Sequence, residues 1–377
     1  MARRILAIVL WLIAFGTVNV ASAETDAEGL TKQCASGDAR GCANLGVMYV
    51  NGTGVTQDFF KAVELYQKAC DGKNAMGCNN LGLMYVDGTG VTQDAVKALE
   101  LFRKACDGQE ANGCANLGVM YAQGDGVRQD FLKAAVLLRK ACDRQIANGC
   151  SSLGVMYVDG TGVTQDDFKA AVLFRKACDG QEARGCFNLG RMYVAGTGVR
   201  QDSFKAVELY QKACDGQEAR GCLSLGVMYV NGTGVTQDDF KAAVLFRKAC
   251  EGKSSTGCLN LGMMYDKPTG VTQDFFKAVE FYRKACDGQN ATGCLKLGVM
   301  YDKGTGVTQD VFKAVELYRK SCDGQDALGC MSLGWMYALG EGVRQSDVEA
   351  LTFFGKACDL KNEKGCQAYA EFKTGKK

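Results

Sequence analysis

The amino-acid sequence predicts an all-α repeat array, an α/α solenoid of 36-residue helix-turn-helix units. Three observations carry that reading. The 20 cysteines form pairs 8 residues apart, repeating every 36 residues from Cys34 and Cys42 to Cys358 and Cys366. Between them an apolar pattern returns in fixed register, with Leu45, Gly46, Met48 and Tyr49, then Ala62 and Lys68. Glycines such as Gly52 and Gly54 break the helical periodicity at the same point of every unit but the one holding Pro268.

In chain order, residues 1–23 read as a secretory signal. Arg3 and Arg4 open it, Ile5 to Phe15 is an unbroken apolar run, and Ala21-Ser22-Ala23 is a small-residue cleavage site. The run is shorter than the ~20 helical residues that cross a bilayer, so removal is expected, leaving a secreted or periplasmic chain with no membrane span. Without Arg3 and Arg4, basic and acidic residues balance at 42 each. No basic stripe is visible, so nucleic acid is not an expected partner. No cofactor motif is visible either.

Residues 24–41 form half a unit, 42–365 nine full units, and 366–377 a partial unit. Truncated ends suit a solenoid, whose end units cap the stack. In the first full unit, helix A is expected from about Ala39 to Val50, capped by Asp38; Asn74 plays that part in the next unit. Gly52 ends the helix and Gly54 serves the turn, because glycine tolerates positive φ. Helix B is expected from Asp58 to Cys70, capped by Thr56 or Asp58, and Asp71-Gly72 breaks the chain. Gln57 recurs and is read as fixing the turn; Pro268 alters one turn.

Export places the cysteines in an oxidising compartment, where disulfides persist. Zinc sites favour shorter cysteine spacings and histidine, and the chain has no histidine. Residues 8 apart in one helix would be about 12 Å apart, beyond the ~7 Å reach of a disulfide, so a turn must lie between them. Two connectivities then remain open. Cys42 and Cys70 lie at one end of an antiparallel helix pair. The i, i+8 scheme uses every cysteine: Cys34–Cys42, Cys70–Cys78, Cys106–Cys114, Cys142–Cys150, Cys178–Cys186, Cys214–Cys222, Cys250–Cys258, Cys286–Cys294, Cys322–Cys330 and Cys358–Cys366. On that parity it is preferred.

The run LGVMYVNGTGV, followed by KAVELYQKAC, resembles the Sel-one-like repeat, a relative of the tetratricopeptide repeat. With a cysteine pair per unit and a signal segment, the chain is similar to the Helicobacter cysteine-rich protein family. The resemblance implies a right-handed superhelix whose A helices line a concave groove. It also implies β-lactamase or penicillin-binding activity, with a β-lactam or cell-wall-like ligand.

The units differ from one another on one arc of helix A. Leu45, Gly46, Met48 and Tyr49 recur and read as core; the positions of Ala43, Asn44, Val47 and Val50 vary. Phe187, Leu223, Leu259, Leu295 and Met331 occupy the Ala43 position, and Arg191 and Trp335 the Val47 position. Asn44, Asn80, Asn116, Asn188 and Asn260 recur beside them, and an amide both donates and accepts. These residues are expected to line a groove for an extended peptide or protein tail, of host or envelope origin. Packing between adjacent repeats is the competing reading. The groove reading expects alanine at Trp335 and Leu295 to leave the melting temperature nearly unchanged.

Catalytic chemistry is hard to place. The chain has no Ser-x-x-Lys and no Ser-Asp-Asn, and Lys373-Thr374-Gly375 lies in the C-terminal tail. Absence of histidine removes Ser-His and Cys-His pairs. No nucleophile is named.

Overall fold

The computed structural model describes residues 20–267 and 269–374, so most of the signal segment and Pro268 lie outside the described residues. Twenty helices and, among the described residues, no strand build the chain as successive helical hairpins. It divides into two compact units, one up to Gln165 and one from Asp166 onward.

The first hairpin shows how local sequence sets each element. Ala39–Asn51 is its A helix, started by Asp38, whose carboxylate accepts from the Arg40 N–H, and ended by Gly52 at φ 68°. Phe59–Asp71 is its B helix, and Asp58, not Thr56, accepts from the Lys61 N–H as its cap. Such a cap is worth about 1 kcal/mol over alanine. Between the helices the Gln57 amide donates to the Val50 carbonyl at 2.7 Å, and Gln93 repeats this on Val86 at 2.8 Å. The recurring glutamine therefore closes the A–B turn.

The B–A turn works differently from its expected glycine break. Gly72 has φ −76°, an ordinary value. The left-handed conformation falls on the next residue, Lys73 at φ 60°, and on its counterparts Gln109 to Lys361. Gly72 is held by space: a Cβ there would meet the Ala39 Cβ at 2.6 Å. Tight approach also explains Gly46, where a Cβ would lie 2.6 Å from the Tyr66 ring.

This turn brings the two cysteines of each pair together. All ten pairs are bonded in the i, i+8 scheme, with Cα–Cα distances of 4.3 to 4.6 Å. Cys70 ends one B helix and Cys78 lies in the next A helix, Ala75–Asp87. Each bridge thus staples one repeat to its successor. Ten disulfides suit an oxidising environment outside the cytoplasm. Among the described residues no helix is long and apolar enough to cross a membrane.

Hydrophobic burial supplies the remaining stability. In the first unit Ala62, Tyr66, Leu81, Met84 and Leu101 form one core cluster. In the second, Leu261, Tyr282, Leu297, Tyr318 and Leu333 belong to a larger one. Each recurring Ala62-type position is fully buried where A and B helices cross; a larger side chain there would overpack the crossing.

Candidate binding face

The variable arc of helix A splits into two parts with different fates. At the Ala43 position the side chains face inward. Phe187, Leu259 and Leu295 are buried, and Leu223 and Met331 pack as partly buried residues against the second unit's core. Three are buried and two half-buried, so they pack between repeats more than they stand open as an apolar ladder. Their sizes vary because each fills the space between one particular pair of repeats. Phe187, for instance, tilts against Tyr210 with ring centroids 5.9 Å apart.

The asparagines are also partly engaged. Asn116 donates its amide to Asn79 at 3.0 Å, and Asn79 donates to Asn80 at 3.3 Å, linking neighbouring repeats. Asn80 also hydrogen-bonds the Tyr66 hydroxyl, whose pKa burial nonetheless pushes up to about 12. Asn188 and Asn260 are half-buried, and Asn44 is exposed.

The Val47 position is the one that opens outward. In the second unit it carries Arg191, Val227, Met263, Val299 and Trp335; all but the half-buried Val299 are exposed. One turn further on stand Val194 and Val230, both exposed, then Asp266 and Asp302. The Tyr282 and Tyr318 hydroxyls of the B helices donate to those carboxylates at 3.1 and 3.3 Å. Burial, then the adjoining carboxylate, raises both tyrosine pKa values far above the ordinary range, so both phenols stay protonated donors. The A-helix face of the second unit is therefore graded, with a cation and valines at one end and carboxylates at the other.

Arg191 and Trp335 both have structural surroundings. The Arg191 guanidinium lies 5.9 Å from the Phe187 ring, and Arg220 of the following A helix lies 4.6 Å from the same ring. Arg220 is bidentate on Glu218, at 2.7 and 3.0 Å. Burial opposes ionisation of Glu218, but Arg220 outweighs it and holds that pKa low. Neighbouring Glu182 lacks such a clamp, and burial raises its pKa despite Arg184. Trp335 sits edge-on to Phe354 at 5.1 Å and Phe372 at 5.9 Å, so half its role is to seat the last helix, Glu363–Lys373.

Sequence reasoning selected Arg191 and Trp335 but missed Leu83, Val227 and Met263, whose conservative apolar identity conceals their exposure. The signal was available: the Val47 position is apolar in all units but one, although it lies outside the recurring arc.

These features define a class: an all-α repeat protein of disulfide-stapled helical hairpins. The Sel1 repeat model matches nine times, at 39–74, 75–109, 111–145, 147–181, 183–217, 219–254, 255–290, 291–326 and 327–362, and the chain belongs to the Sel1 repeat family. Among solved structures it is similar to a protective antigen of uropathogenic Escherichia coli displaying an SLR fold. That match is 28% identical, covers 94% of this chain and 82% of the other, and has a TM-score of 0.61. A Sel1 repeat protein from Oxalobacter formigenes shares the fold at 24% identity, 89% and 97% coverage and a TM-score of 0.59. Helicobacter pylori cysteine rich protein B is 33% identical over 36% of this chain and 97% of its own, at a TM-score of 0.30. Comparison with curated proteins finds no match.

Proposed function

We propose that this chain is an exported scaffold that binds an extended peptide or protein tail along its A-helix face. One observation carries the reading: Val227, Met263 and Trp335 stand exposed at a single register position of the repeats, with the half-buried Val299 between the last two. A peptide backbone running across them meets an apolar contact in each repeat, the arrangement that extended-peptide readers use for specificity. Arg191 at one end and Asp266 and Asp302 at the other would fix the direction of the bound strand. Rigidity supports the reading as well, since a stapled array is preorganised and loses little entropy on binding.

On this reading residues 1–23 direct export and are removed, 24–41 cap the start, 42–365 are the working repeats, and 366–377 close the end. The protein then acts in the periplasm or outside the cell.

The test is selection of a random peptide display library on the oxidised chain, with counter-selection on Arg191→Glu/Val227→Asp. Both substituted residues are exposed, so the variant keeps its fold, as circular dichroism would verify. Enriched peptides that bind the wild type at least about 30-fold tighter, roughly 2 kcal/mol, support the proposal. Peptides that bind both equally, or no enrichment, overturn it.

A further inference from the structure

A second surface lies on the opposite helix of each hairpin. The second residue of the B helix is Phe168, Phe204, Phe240, Phe276 and Phe312 in successive repeats of the second unit, and each ring is 67–77% exposed. The first unit repeats the pattern with Phe60 and Leu132. Soluble chains rarely leave apolar patches of this extent uncovered.

The rings do not stand on a flat surface. Between Phe168 and Phe204 an open groove of about 1060 Å³ runs over the turn from Gly198 to Asp202 and is walled by Tyr193 and Lys205. Its floor is close backbone packing: at Gly198 a Cβ would collide with the backbone of Asp167. One face therefore carries both apolar knobs and a groove between two of them.

Charge on this face cancels locally. Four of the five rings are flanked by a cap aspartate and a lysine that pair with each other: Asp166–Lys169 at 3.0 Å, Asp202–Lys205 at 3.5 Å, Asp238–Lys241 at 3.4 Å and Asp274–Lys277 at 3.3 Å. Arg200 adds a cation to the groove and Asp167, beside Phe168, an anion, so an anionic surface would find no net positive charge on these rungs. A second copy presents rings at the same 36-residue period, with the same paired aspartates and lysines beside them.

Area agrees. A phenylalanine offers about 150–250 Å², so five rings this exposed present about 700 Å² per copy, or about 1,400 Å² for two, within the usual range for a stable interface.

We infer that this phenylalanine edge is a self-association surface, whose partner is a second copy of this chain docked isologously through the exposed rings. The test is sedimentation velocity of the oxidised full chain over a concentration series. Wild type should dimerise reversibly. Phe204→Ser/Phe240→Ser/Phe276→Ser should raise the dissociation constant about 100-fold or more with an unchanged circular dichroism spectrum. Replacement of the same three by leucine, which keeps the apolar surface, should retain the dimer. A wild type that stays monomeric overturns the inference, as does a serine variant that dimerises like wild type. So does a monomeric wild type that floats with phosphatidylcholine/phosphatidylglycerol vesicles, which would assign the edge to lipid. None of these outcomes bears on the peptide-binding face, whose side chains the variants leave intact.

Discussion

Tyr282 donates its hydroxyl to Asp266 at 3.1 Å, from a ring that is fully buried. The phenol is thus locked in its protonated form, and Tyr318 repeats the arrangement on Asp302. An unfolded tyrosine ionises near pH 10, about its ordinary pKa. Above that pH the unfolded chain has released protons that the folded chain keeps, so stability falls as pH rises. The contribution should be fully present below about pH 10 and disappear as pH climbs through the raised folded pKa. Denaturant midpoints measured from about pH 8 to pH 11 should fall steeply, and Tyr282→Phe/Tyr318→Phe should flatten the decline.

Gly46 lies under the Tyr66 ring, with room for no Cβ. Gly46→Ala should cost about 1–3 kcal/mol, the usual penalty for overpacking. The loss should be local, because each repeat contacts mainly its neighbours. Hydrogen exchange should quicken in Ala39–Asn51 and Phe59–Asp71 and remain unchanged in Val311–Asp323. Uniform acceleration would contradict the local-packing account.

Cys286 and Cys294 close a short loop between Phe275–Asp287 and Ala291–Lys303. Their joint replacement by serine should remove about 2–3 kcal/mol, as loop entropy predicts for a bridge of this span. Amides at that junction should lose protection while the bridge Cys70–Cys78 still resists mild reductant. Equal loss everywhere would mean that the array unfolds as one cooperative body.

Trp335 has a mixed part. Its ring contacts with Phe354 and Phe372 predict that Trp335→Ala destabilises by about 2 kcal/mol and frees the helix Glu363–Lys373. The groove reading of the sequence expects an unchanged melting temperature, and the packing reading a loss. Thermal denaturation and exchange at that helix decide between them, and an unmoved melting temperature would mean that the stacking contributes nothing.

Much of the fold was legible because its determinants are local. Asp58 as cap, Gly52 at positive φ and the i, i+8 cysteines each act within a few residues. Gly72 was legible as a break but not as a spacer, since its reason is Ala39 in the same repeat. The binding face was harder. Variation at the Ala43 position suits either exposure or packing, because repeats can vary at a buried position when each junction is packed separately, as Phe187 and Leu295 are. Met263 and Val227 drew no attention, because valine and methionine beside a helical core stripe look like more core. Phe204, 74% exposed, is hidden in the same way. Solvent exposure in a stack of repeats depends on where the next turn lies, and that is a property of two repeats together.

The order of the bridges along the chain has a further consequence. Every bonded pair consists of consecutive cysteines, first with second, third with fourth, through to Cys358 and Cys366. A chain oxidised from its N-terminus as it emerges from a pore meets each correct partner before any wrong one arrives. Vectorial emergence alone would then write the native connectivity, with no need of isomerase proofreading. Refolding the reduced, full-length chain offers all 20 thiols at once, and there only the shorter 8-residue loop favours the native partner over the next cysteine, 28 residues away.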